Sequence, residues 1–219
     1  MRKGALALLL LLTVGVGVAF AIDPEALNKV TFQNNTGTKI KLIFLSPGDS
    51  DFWGPDIIGA DYVMTDGGTI SYFVHYPSSP FKFDIMATDD KGNKFELRDF
   101  TLTDGKESTV RFTKSNLNSS APSMNLATVN VTNNTGGEVD YLFVSPNDSE
   151  AWGADLLDSE TTLADGDSHN IVIPVGKDKV KYNLLAYDEN SDEYMFDVSI
   201  DPKKSTTVDV SIEPSDKIQ

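Results

Sequence analysis

The sequence predicts an all-β protein made of two tandem antiparallel β-sandwich domains, Ig-like or related in topology, that arose by internal duplication. Three observations predict this. First, Asn34-Asn35-Thr36-Gly37 recurs as Asn133-Asn134-Thr135-Gly136, offset by 99 residues (135 − 36 = 99). The same offset relates Ser46-Pro47 to Ser145-Pro146, Trp53-Gly54 to Trp152-Gly153, Asp56 to Asp155 and Asp66-Gly67 to Asp165-Gly166. So long a gapless self-match means one fold repeated. Second, apolar residues alternate in short runs at strand period. Third, Gly-, Asn- and Asp-rich turns separate those runs, and no long amphipathic helix is written anywhere.

In chain order, residues 1–21 read as an export signal. Arg2 and Lys3 precede an apolar run that closes on Ala19-Phe20-Ala21, a small-residue cleavage box. The first sandwich is expected over 22–113. Ile40, Leu42 and Phe44 alternate on one face of a strand, and Ile43 and Leu45 make its far end apolar on both sides. That pattern predicts a central, covered strand. Tyr72 and Val74, then Phe83, Ile85 and Ala87, mark further inward faces, followed by Phe95, Phe100, Leu102, Val110 and Phe112. Residues 114–126, rich in Ser and Asn, read as a linker. The second sandwich is expected over 127–214, with a polar tail over 215–219. Its runs match the first until Phe100 and Leu102, which align with Val198 and Ile200, one residue out of step. Since each half has its own strands and turns, each is expected to close its own core.

The shared loop is the most distinctive segment. Ser50 and Ser149 suit the cap of a short helical turn that sets Trp53 above Ile57 and Trp152 above Leu156. On this reading Trp53, Gly54, Trp152 and Gly153 are structural, and the tryptophans plug one end of each sandwich. Two functional readings compete. Asp49, Asp51, Asp56 and Asp61, with Asp148, Glu150, Asp155 and Asp158, could offer oxygens to calcium, the recurring candidates being Asp49, Asp56, Asp148 and Asp155. Alternatively Trp53, Tyr72, Tyr76 and Phe81 could form an aromatic platform for sugars.

Composition narrows the classes. The chain has no cysteine, which removes disulfides, thiol catalysis and a lipobox anchor. Loss of the leader leaves 16 basic residues (18 less Arg2 and Lys3) against 33 acidic ones. Such a charge disfavours nucleic acid and anionic membranes as partners and leaves proteins, glycans and cations. No membrane insertion is expected once the signal is removed. The two histidines, His75 and His169, do not recur in register, and no nucleophile–base or metal-protease spacing is present. The expectation is therefore no enzyme and no required cofactor. The chain reads as an exported structural or binding protein, in the periplasm, at the cell surface or secreted. A calcium-stabilised module and a carbohydrate-active hydrolase or glycan-binding protein are the alternatives.

Asn133 to Gly136, Tyr141-Leu142-Phe143, Ser145-Pro146, Ser149, Trp152-Gly153 and Asp155-Leu156-Leu157 together resemble a repeat of exported bacterial proteins of unassigned function. The first copy departs from it at Pro55 and at Ile57-Ile58. The resemblance implies an extracytoplasmic location and brings no catalytic residue with it.

Overall fold

The computed structural model describes residues 27–121, 123–158 and 161–218; the expected signal segment lies outside them. The protein is all-β. The first copy holds β1 (Asn28–Asn35), β2 (Ile40–Pro47), β3 (Thr69–His75), β4 (Phe81–Asp89), β5 (Lys94–Leu102) and β6 (Ser108–Thr113). The second holds β7 (Asn125–Asn133), β8 (Val139–Pro146), the short β9 (Gly153–Ala154), β10 (Ser168–Val175), β11 (Val180–Asp188), β12 (Glu193–Ile200) and β13 (Thr207–Ile212).

Each copy is a sandwich of two three-stranded layers, as its alternating faces require. One layer runs β6-β1-β3, repeated as β13-β7-β10. The other runs β2-β4-β5, repeated as β8-β11-β12. Pairing is antiparallel except at β1–β6 and β7–β13, which are parallel. Val30, Phe32, Val74, Phe83, Ile85, Val110 and Phe112 fill the first core; Val129, Val131, Ile173, Tyr182, Leu184 and Ile200 fill the second. All belong to one continuous apolar cluster that spans both copies.

Two expectations about β2 need correction. It lies at the edge of its layer, with β4 central. Its outer edge is closed by loop bridges from Met64 to Ile40 and from Asp56 to Phe44, and its second face, with Leu42 and Phe44, lies beside Met124 and Leu126. Nor do Ile40, Leu42 and Phe44 share a face. The register shifts between Ile40 and Leu42, so Ile40, Ile43 and Leu45 face the core while Phe44 does not. β8 repeats the irregularity opposite Tyr187 and Asp188. An inserted residue reverses every side chain after it.

The one-residue slip between the copies has the same origin. β4 and β5 change register between Phe83 and Ile85, and Asp99 there takes a left-handed φ of 54°. β11 and β12 pair without interruption. The extra residue of the first copy is thus a β-bulge.

The repeated N-N-T-G is carpentry. Asn34 is fully buried. Its Nδ2 donates to the carbonyls of Thr38 (2.8 Å) and Met64 (3.0 Å), and its Oδ1 accepts from the amide and hydroxyl of Thr36. Asn133 does the same with Gly137, Leu163 and Thr135. The Gly37 and Gly136 amides donate to Asp66 and Asp165, which accounts for the repeated Asp-Gly.

Residues at the start of the expected linker are built onto the first sandwich. Lys114–Asn116 form a 3-10 turn, Leu117 bridges to Phe95, and the Asn118 amide donates to the Lys94 carbonyl. In the expected tail, Lys217 bridges to Tyr194 in the same way.

Candidate functional site at the joint of the two copies

The shared loop does not form a helical turn. After a tight turn, in which the Ser50 amide donates to the Pro47 carbonyl, it bends at residues 51–52 and reaches a bridge from Asp56 to Phe44. Ser46 Oγ ties it back by donating to the Phe52 carbonyl (2.7 Å), as Ser145 Oγ does to Ala151 (2.5 Å). Each loop then crosses to the other copy. The Asp56 amide donates to Val172 of β10 (2.8 Å), and the Asp155 amide donates to Phe73 of β3 (2.9 Å). Val74 and His75 pair with Ala154 and Gly153, so β9 completes the sheet of the first copy.

The candidate calcium carboxylates are placed otherwise than a metal site requires. Asp49 accepts the Ser149 hydroxyl (2.7 Å), and Asp148 accepts the Ser50 hydroxyl (2.6 Å) and the Asp51 amide. Asp56 and Asp155 are buried. Their Oδ1 atoms accept backbone amides: Ile43 and Ile58 for Asp56, Leu142 and Leu157 for Asp155. Among the described residues no three His, Cys, Asp or Glu side chains converge on a metal position. The Oδ2 atoms of Asp56 and Asp155 are buried without a hydrogen-bond partner. Burial accordingly pushes both carboxyls up to about 7, against the pull of the amides they accept.

Nor does the aromatic platform assemble. Tyr72 and Tyr76 are buried in the core, and Phe81 stacks on Tyr76 with centroids 6.0 Å apart. Trp53 lies elsewhere. It is half-buried, not the core plug the sequence suggests, and the Arg98 guanidinium sits 4.8 Å from its ring centroid. Trp152 is also half-buried, against a small cluster of Phe143, Leu185 and Tyr187. Ile57, Ile58, Leu156 and Leu157 fill the core position instead.

The two loops differ in what they leave open. Phe52, 41% exposed, and Trp53 line a cleft of about 530 Å3 whose far wall is the β10–β11 hairpin, with Lys177, Asp178 and Lys179, and whose side carries Met124. Tyr182 holds the near wall by donating its hydroxyl to the Trp53 carbonyl (2.9 Å). Both copies therefore build this cleft. Ala151, the counterpart of Phe52, is fully buried. The Trp152 amide meets His75 Nδ1 at 3.4 Å, and burial lowers His75 to about 4, so its ring is neutral and able to accept. A second, more polar cleft of about 450 Å3 lies further along, with Asp61, Tyr62, Ser168, His169 and Asn170. Neither cleft is legible in the repeat, because Phe52 and the hairpin lysines are not shared by the copies.

No protein-family model matches the chain, and no curated protein does. Solved structures give remote likenesses. An NMR structure of a protein from Eubacterium rectale matches at 19% identity and TM-score 0.33, covering 43% of this chain and 84% of that one. A family CBM26 module of Eubacterium rectale Amy13K, solved with maltoheptaose, matches at 15% identity and TM-score 0.25, covering 84% and 91%. Fibronectin(III)-like modules of Clostridium thermocellum CbhA match at 7% identity and TM-score 0.20, covering 86% and 92%. All three are bacterial, but at these scores the likeness carries no argument about a ligand.

Proposed function

We propose that the chain is an exported, non-catalytic binding module that takes a neutral oligosaccharide in the cleft of Phe52 and Trp53. One observation carries the reading: the two copies differ most usefully here, where the first presents an exposed aromatic beside Trp53 and the second supplies a polar hairpin. A sugar ring offers an apolar C–H face to an aromatic side chain and hydroxyls to polar ones. A pocket with an apolar lining and a few convergent polar groups suits that chemistry. Lys177 and Lys179 can donate and Asp51 can accept. Export rests on the leader, and the strongly acidic surface suits a glycan better than a polyanion.

The experiment is a titration of the intact protein with α- and β-linked gluco-oligosaccharides and chito-oligosaccharides, read by tryptophan fluorescence and calorimetry. Binding is expected to be lost in Trp53→Ala and Phe52→Ala and retained in Trp152→Ala. Absence of saturable binding to any of them at millimolar concentration, or binding indifferent to Trp53, overturns the proposal.

A further inference from the structure

We infer that the joint is an isologous dimer interface carried within one chain: each copy is built to take a second copy of the repeat as its partner, and the pairing does not depend on the connecting segment. An interface of this type has residue i meeting j while the counterpart of j meets the counterpart of i. The joint meets that test in its backbone and side-chain hydrogen bonds, and its apolar residues stand at corresponding positions.

At the level of the backbone, the Asp56 amide donates to Val172 and the Asp155 amide to Phe73. Val172 and Phe73 are themselves counterparts (172 − 73 = 99). At the level of side chains, Ser50 donates to Asp148 and Ser149 to Asp49. At the level of apolar packing, Leu27 of the first copy packs on the Phe143, Leu185 and Tyr187 cluster of the second. Its counterpart Leu126, with Met124, lines a cleft beside Leu42 and Phe44 of the first copy. The core is continuous across the joint. A linker that merely tethered two finished domains would give no reason for such reciprocity. A self-complementary surface, present in each copy before any linker joined them, gives one directly. It also explains why Ser50 and Asp49 are repeated although neither fills a core.

The experiment uses the full chain with a protease site inserted between Ser119 and Ser120, both of which are exposed. After complete cleavage, the fragments are expected to co-elute at the size of the uncut protein at low micromolar concentration. The melt of the cut protein should become concentration-dependent, as for any dimer. Two variants test the contacts. Tyr182→Phe removes the bond to the Trp53 carbonyl and leaves the residue that the first copy already has at Phe83. Ser50→Ala/Ser149→Ala removes both reciprocal hydroxyls. Each should weaken the cut pair by roughly tenfold, the effect of losing one or two modest hydrogen bonds, with the uncut chain still folded by circular dichroism. Fragments that elute apart, folded or not, overturn the inference. A cut pair whose dissociation constant is unchanged in Ser50→Ala/Ser149→Ala overturns it too, because the reciprocal contacts would then not be what holds it.

Discussion

Asp56→Asn/Asp155→Asn is expected to remove the part of this protein's pH response in which stability falls as pH rises toward 7. In each site Oδ1 accepts two backbone amides while Oδ2 is buried with no partner. Asparagine keeps the acceptor and removes the ionisation. The wild-type carboxyls titrate at about 7 in the fold against 3.8 outside it. A carboxyl raised in this way contributes stability that is fully present below pH 3.8 and is lost as pH rises through about 7. A gap of about three pH units corresponds to about 4 kcal/mol per site as an upper bound, at about 1.4 kcal/mol per unit. Two such sites are a large fraction of the stability of an ordinary domain.

His75 opposes them. Its folded value of about 4 lies below the ordinary 6.5, so its contribution is present above pH 6.5 and is lost as pH falls toward 4. The wild-type profile alone is therefore ambiguous, and the difference between proteins is the measurement. Urea midpoints should be compared at pH 4.5, 6, 7.5 and 8.5. The double variant should gain relative to wild type at each step up to pH 7.5, by about 2–7 kcal/mol in total, and level off by pH 8.5. Midpoints that run parallel across the range would refute the reasoning and mean that the two carboxylates are ionised and solvated in the fold.

The remaining predictions concern the repeated residues. Trp53→Ala and Trp152→Ala should each cost about 1–2 kcal/mol in denaturant melts, less than the 3–5 typical of a core aromatic, because both rings are half-buried. Asn34→Ala and Asn133→Ala should each cost at least about 3 kcal/mol, since each strands two carbonyls and an amide that the side chain now satisfies. Thermal melts in millimolar calcium and in chelator should coincide, because Asp49 and Asp148 already accept hydroxyls across the joint and Asp56 and Asp155 accept amides; a calcium-specific rise would reinstate the metal reading.

The duplication, the all-β class and the inward faces of β4 and β11 were legible because they rest on period and repetition. Phe83, Ile85 and Ala87, like Tyr182, Leu184 and Ala186, face the core as their alternation requires. The face of β2 was not legible, because a bulge beside Lys41 reverses the alternation without changing composition. The joint was hidden for a different reason. Repeated loop residues signal a shared requirement, but a sequence does not say whether a Ser and an Asp meet within one copy or across two. Ser50 and Asp49 read equally well as a local cap. Only their partners, Asp148 and Ser149, disclose the exchange. The cleft was missed because comparison of the copies selects what they share, and Phe52 faces Ala151 in that comparison.

Gly54 and Gly153 look interchangeable in the repeated Trp-Gly, yet the structure gives them different tasks, and substitution should separate them. Gly153 has a φ of 76° and open space around the place a Cβ would occupy. Its requirement is conformational: a side chain there costs about 1–2 kcal/mol, and Asn, which tolerates the left-handed region, costs less than Ala. Gly54 has no left-handed φ, but a Cβ would lie 1.9 Å from the Leu45 carbonyl oxygen. That neighbour is backbone of β2 and cannot swing away. Ala should therefore cost several kcal/mol, beyond the usual 1–3 for an overpacked site, and Asn should be worse than Ala because it is larger. The informative result is the order within each position, read from urea midpoints: Asn above Ala at 153, Ala above Asn at 54. The same order at both positions would mean that the two loops share one backbone path and that the close approach of Gly54 to β2 does not exist in solution.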